Sequence, residues 1–195
     1  MKIYNSPEEQ HIIVLRNIVK MLISRNFLDI KMKDHYLKKI MNKLKSDSIT
    51  FVSDNSDTKI NLKFLNSQNI INKQTIFKSI NKDEHYIFVL ESVKLERTLK
   101  DYKRLPYIEI FQYNEFYLNI IDNILVPQHS LLSEDEKEEL LTTLNCTLDQ
   151  IPIIYNSDRI VRHYNFPIDS ICKIERINET TGKTITYRRV ILIFE

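Results

Sequence analysis

Apolar residues at Ile12, Leu15, Val19, Leu22 and Ile23 recur three and four apart, the spacing of one face of an α-helix. Ser6 stands where an N-cap belongs and Pro7 takes the first helical position. Glu9, three residues after Ser6, is placed to complete a capping box. Leu37, Ile40, Met41 and Leu44 predict a second helix over 33–45. From 46 to 75 the pattern turns polar and rich in Ser, Asn and Asp. Only "ITFV" and "KINLKFL" read there as short strands, with loops around them. "HYIFVLE" (85–91) and "YIEIFQY" (107–113) are β-branched and aromatic, as strands are. Between them "KLERTLKDYKR" (94–104) reads as a short basic helix. The resulting β-α-β unit favours parallel pairing of its two strands.

From about residue 124, after "FYLNIIDNILVPQH", the signals become denser. "SEDEKEELLTTL" begins with Ser133 and Glu136 at capping-box spacing, and its first turn is acidic, as the helix dipole favours. Leu140, Leu141 and Leu144 are expected to form its buried side. "SDRIVRHYNFP" predicts a short helix capped by Asp158, ended by a left-handed Asn165 and prevented from continuing by Pro167. Two strands, "SICKIERI" and "KTITYRRVILIF", then flank "NETTG". That loop needs a residue at positive φ, which Gly182 supplies without Cβ strain. The fold class expected is α+β, or mixed α/β, in two domains of 1–123 and 124–195. The first combines helices with a mixed sheet, and the second is a small α/β domain ending in a β-hairpin.

Composition narrows the function. The chain has 195 residues, 43% hydrophobic and 28% charged, as a globular protein does. Purely apolar runs such as "IIVL" (12–15) are only a few residues long, which fits neither a membrane span nor a signal peptide. Gly182 is the only glycine, so a Walker A loop, a G-x-G-x-x-G fingerprint and a G-x-S-x-G elbow are excluded. Alanine is absent while Ile, Asn and Lys abound, a bias expected of an AT-rich genome. Cys146 and Cys172 form no CxxC and read as reduced thiols of an intracellular protein, without a histidine partner nearby in sequence. His11, His35, His85, His129 and His163 are scattered, with no HExxH, so neither a metal nor a cofactor is expected. The net charge of +2 conceals an imbalance. Residues 1–120 hold 20 Lys and Arg against 14 Asp and Glu, whereas 121–195 hold 8 against 12. Two solvated surfaces would account for this, as would a basic module near nucleic acid joined to an acidic docking module.

The segments "LVPQHSLLSEDEKEELL", "QIPIIYNSDRIVRHYNF" and "KIERINETTGKTITYR" resemble, in order and spacing over about 124–190, one known domain. It is the C-terminal assembly domain of the fifth subunit of eukaryotic RNA polymerases, which has an archaeal counterpart. The residues that carry the likeness are Val126, Pro127, His129, Ser133 to Leu141, Pro152, Asp158, Lys173, Ile174, Glu179, Thr180, Gly182, Tyr187 and Arg188. Three positions depart from the pattern: Arg159 replaces a proline, and Asn165 and Asp169 replace glycines. Asn and Asp tolerate left-handed backbone best among non-glycine residues. Survival of glycine at 182 therefore suggests a conformation or a close contact that Asn cannot supply. The N-terminal part is similar to the family's jaw domain in its opening helix and its two strands. "LERT" stands where the family has a Thr-Pro-Ser-Ala turn, so contacts made by that turn do not carry over.

The resemblance implies a non-catalytic polymerase subunit, present in one copy per complex and without membrane association. Its assembly domain would dock on the largest subunit, among other core subunits, through Pro127, His129, Pro152, Asp158, Lys173, Thr180, Gly182, Tyr187 and Arg188. Its jaw would lie beside downstream duplex DNA, with Arg16, Lys20 and Arg25 on the first helix. Lys94, Arg97, Lys100, Lys103 and Arg104 in or beside the basic helix would face the phosphates too. The apolar tail Ile191 to Phe194 would pair as a strand and be buried on the partner. The archaeal counterpart lacks a jaw. A chain with both domains therefore implies a eukaryotic nuclear enzyme, or one carried in the virion and host cytoplasm by a large DNA virus; the AT-rich bias leans to the virus. Two other classes stay open. A nuclease would use Asp29, Glu91 and Lys94, but Glu91-x-x-Lys94 has the wrong spacing and Asp29-x-Lys31 precedes any clear strand. A free-standing regulator could carry the same assembly domain.

Overall fold

A computed structural model describes residues 6–41, 48–55, 58–65, 80–91, 105, 107–178 and 182–193. Compact units comprise Met1–Leu118 and Asn119–Glu195. In the first, helix α1 (Pro7–Ser24) starts with Ser6 Oγ accepting the Glu9 N–H at 3.1 Å. Glu9 returns no bond to Ser6 among the described residues, so only half of the expected capping box forms. Val14, Leu15, Ile18, Val19, Met21 and Leu22 are its buried apolar residues, a wider face than the predicted stripe; Ile12 and Ile23 are half-buried. A 3-10 turn (Ile30–Met32) leads into α2 (Lys33–Met41).

The sheet of this unit has the order β1 (Ser48–Val52), β2 (Lys59–Leu65), β3 (His85–Leu90), β4 (Ile108–Gln112). The first pair is antiparallel, and β2–β3 and β3–β4 are parallel, as the β-α-β pattern predicts for the last pair. Strand β3 is buried on both faces. Ile87 and Val89 join the core beneath α1, and Tyr86, Phe88 and Leu90 join a second core with Ile108 and Ile110. That is why its sequence is an unbroken apolar run. The predicted basic helix 94–104, and with it Lys94, Arg97, Lys100, Lys103 and Arg104, lies outside the described residues, as do Leu44 and Thr180.

The second unit has a sheet of order β5 (Gln128–Leu131), β7 (Ile171–Asn178), β8 (Gly182–Ile191), β6 (Ile153–Tyr155). β5–β7 and β7–β8 are antiparallel and β6–β8 is parallel. Helix α3 (Glu134–Thr143) carries the complete capping box: Ser133 Oγ accepts the Glu136 N–H, and Glu136 accepts the Ser133 N–H at 2.8 Å. Helix α4 (Arg159–Tyr164) is capped by Asp158, whose Oδ1 accepts the Ile160 N–H at 2.8 Å.

With one glycine available, the chain turns on asparagine and aspartate. Asn26, Asn145 and Asn165, beyond the ends of α1, α3 and α4, have φ of 59°, 47° and 53°, and Asp169 has 64°. Short polar side chains tolerate this region best after glycine. Gly182 has φ +72°, as a hairpin residue at positive φ should, but this is close to the values that Asn and Asp adopt at the other turns, so it is not a conformation that Asn cannot supply. The other suggested reason, a close contact, finds no support among the described residues, since a Cβ there meets nothing of theirs within 4 Å.

Candidate subunit interface

The two units bury their apolar residues unequally. Among the described residues of the second, the buried apolar ones are Ile151, Ile160, Val161, Ile171, Cys172, Ile174 and Val190, none of them aromatic. The first buries Tyr36, Phe51, Tyr86, Phe88, Phe111 and Phe116 besides its aliphatic residues. The second unit exposes large side chains, Ile124 at 97%, Leu125 at 86% and Ile177 at 94%, with Leu131, Ile153 and Ile168 also exposed, whereas the most exposed among the described residues of the first are Ile30 and Leu118 at 68%. Nor does α3 have the buried side expected of it. Leu140 and Leu141 are half-buried, Leu144 is 53% exposed, and no residue of α3 is fully buried. Exposed apolar side chains mark an interaction surface where they form a contiguous patch.

Most residues expected at the interface make bonds that shape this unit. His129 Nδ1 lies 2.7 Å from the Pro127 carbonyl. Asp158 caps α4, and Pro152 accepts the Arg189 N–H at 2.8 Å. Arg188 donates to the Ile153 carbonyl at 3.0 Å, which ties β8 to β6. Lys173 and Tyr187 are cross-strand neighbours, and Glu175 pairs with Lys173 at 2.9 Å and Lys183 at 2.6 Å. Gly182 closes the hairpin opposite Asn178. The tail pairs through Ile191, opposite Tyr155, while Leu192 and Ile193 are 44% and 39% exposed. The sequence reading missed Arg189, which joins Asp149 and Asp169. Only its place beside Arg188 in a strand hinted at this.

Cys172 is fully buried, and burial, with the Asp158 charge adding, pushes its thiol up to about 11. It is protonated at neutral pH and no nucleophile. In the first unit Asp29 Oδ1 accepts the Lys31 N–H, and among the described residues no group of three His, Cys, Asp or Glu could hold a metal.

Of the expected phosphate contacts on α1, Arg16 is exposed and Lys20 half-buried. Arg25 does not face solvent. Its side chain is 2% exposed and grips Glu109 of β4 with both terminal nitrogens, at 2.5 and 2.8 Å. His85 Nε2 of β3 meets the same carboxylate at 2.6 Å. Burial alone would raise the Glu109 pKa, but Arg25 and His85 outweigh it and hold it at about 2. A lone charged residue inside "YIEIFQY" was the available signal, and it requires a buried counter-charge.

Residues 118–190 match the profile of the RNA polymerase Rpb5 C-terminal domain. The subunit Rpo5 of a DNA-directed RNA polymerase from Methanosphaera stadtmanae is 42% identical over 72 residues, 37% of this chain and 94% of that protein. The chain belongs to the Rpb5 family of DNA-directed RNA polymerase subunits. A family member from Dictyostelium discoideum, subunit rpabc1 of polymerases I, II and III, is 38% identical over 95 residues, 48% of each chain. The aligned region is thus about half the length of that relative. RPABC1 from Caenorhabditis briggsae is 29% identical over 141 residues, 72% of this chain and 65% of the relative. That alignment is longer than the second unit, so the Rpb5 likeness reaches into the first.

Proposed function

We propose that this chain is a non-catalytic subunit of a multisubunit DNA-directed RNA polymerase, present once per complex. Its second unit is the assembly domain and docks on the largest subunit. Its first unit is a jaw that helps to hold downstream duplex DNA. The observation that carries the reading is the second unit's small core, without a buried aromatic residue among the described ones, together with its exposed large apolar side chains, in the region matched by the family profile. An obligate partner would cover those side chains, as the half of a divided core is covered in permanent complexes. Pro127, His129, Pro152, Asp158, Lys173, Thr180, Gly182, Tyr187 and Arg188 belong to this interface, several of them by shaping it, and Leu192 and Ile193 are buried on assembly.

In the jaw, Arg16 and Lys20 stand one helical turn apart on α1 and would meet phosphates without reading sequence. Lys94, Arg97, Lys100, Lys103 and Arg104 extend the same reading. Eukaryotic relatives favour a nuclear setting, and the AT-rich composition keeps a virion and host cytoplasm as the alternative. The test is Leu144→Gln with Ile168→Gln in the full chain. Both side chains are exposed, so stability stays within about 0.5 kcal/mol. Incorporation into polymerase falls severalfold. Unchanged incorporation overturns the assignment of this surface.

A further inference from the structure

The strand order leaves β8 unevenly covered. Its inner edge pairs with β7 from Gly182 through Arg189, but β6 covers its outer edge at Arg189, Val190 and Ile191 alone. Bonds at the covered end show which way each backbone group points. The Arg189 N–H donates outward to Pro152, the Ile191 carbonyl accepts from Asn156, and the Val190 N–H donates inward to Ser170. Successive residues of a strand direct their N–H and C=O to opposite edges. Lys183, Ile185 and Tyr187 therefore present both groups to the outer edge, where no partner meets them among the described residues.

Such an edge is a template for another strand unless charge, proline or a bulge guards it. The stretch Lys183–Tyr187, "KTITY", has no proline and strong β-propensity. Its one charged residue, Lys183, reaches Glu175 of β7 at 2.6 Å, a carboxylate that it shares with Lys173. On the same face Ile185 is 41% exposed, and Ile177, directly across from Lys183, is 94% exposed. The edge thus offers backbone groups with apolar side chains beside them, the two components of strand-addition recognition.

We propose that an extended segment of the polymerase subunit on which the second unit docks adds to the outer edge of β8 along Lys183–Tyr187, in line with β6. The segment carries apolar side chains at alternate positions, on the face of Ile177 and Ile185. This inference rests on the reading of the second unit as the assembly domain.

Hydrogen–deuterium exchange of the full chain, free and within polymerase purified from its source, tests it. The Lys183, Ile185 and Tyr187 amides slow by roughly 100-fold on assembly. Exchange in the assembled enzyme as fast as in the free chain overturns the inference and leaves the assembly reading standing. Failure of the chain to enter polymerase overturns both. A homodimer protecting the same amides overturns the proposed occupant. Ile185→Pro deletes an outward N–H that the free fold does not use, so the free chain keeps its circular dichroism while incorporation falls tenfold or more. Ile185→Ala keeps that N–H and loses less. A proline variant no worse than the alanine variant refutes edge pairing.

Discussion

Glu109→Gln is the sharpest perturbation of the first unit. The carboxylate is 12% exposed and answers Arg25, itself 2% exposed, through two bonds, with His85 on the same oxygen as one of them. Glutamine keeps the shape and removes the charge, which leaves the Arg25 cation buried without its counter-ion. Breaking a buried pair from one side costs about 3–5 kcal/mol, a large share of the roughly 5–15 kcal/mol that holds a domain folded. The same magnitude follows from titration. The Glu109 pKa is depressed from 4.5 to about 2, which corresponds to about 3 kcal/mol favouring the ionised folded state. Since the folded pKa lies below the unfolded one, this stabilisation is complete above pH 4.5 and is lost as pH falls through 2. The chain has no tryptophan, so exchange of the His85–Leu90 amides in urea, alongside circular dichroism, reports the unit. Glu109→Gln should shift the transition by the stated amount and flatten its acid dependence. Replacing Arg25 and Glu109 together with methionine should cost well below the sum of the single changes. A Glu109→Gln variant that melts with the wild type would refute the reasoning.

Three further outcomes follow. Gly182→Asn should change stability by less than about 0.5 kcal/mol and Gly182→Ala should cost about 1 kcal/mol by chemical denaturation, because the position demands positive φ and offers open space; equal effects would contradict this. Asp158→Ala should destabilise the second unit by about 1 kcal/mol through loss of the α4 cap, seen in exchange of its first-turn amides. Within polymerase, Arg16→Ala and Lys20→Ala should each reduce the salt slope of downstream-duplex binding by about 1, and unchanged slopes would remove α1 from the DNA surface.

Local chemistry made much of the fold legible. The Ser6 and Ser133 caps, the Asp158 cap, the apolar run of β3 and the Gly182 hairpin all appear as sequence signals, because each depends on residues close along the chain. Nonlocal pairings were less readable. Arg25 and Glu109 are far apart in sequence, so Arg25 looked like one more surface cation. Leu144 misled for the opposite reason. Helical spacing marks an apolar face but does not say whether the chain itself or a partner covers it. The candidate interface was therefore located by resemblance, and its exposure became visible only once the sheet was assembled.

The central claim is subunit status, and native mass spectrometry of polymerase purified through a tag on this chain tests it most directly. The account predicts one copy of the chain in every assembly, together with the two largest polymerase subunits. Recovery of the chain alone, or in a minor fraction of the assemblies, would contradict it.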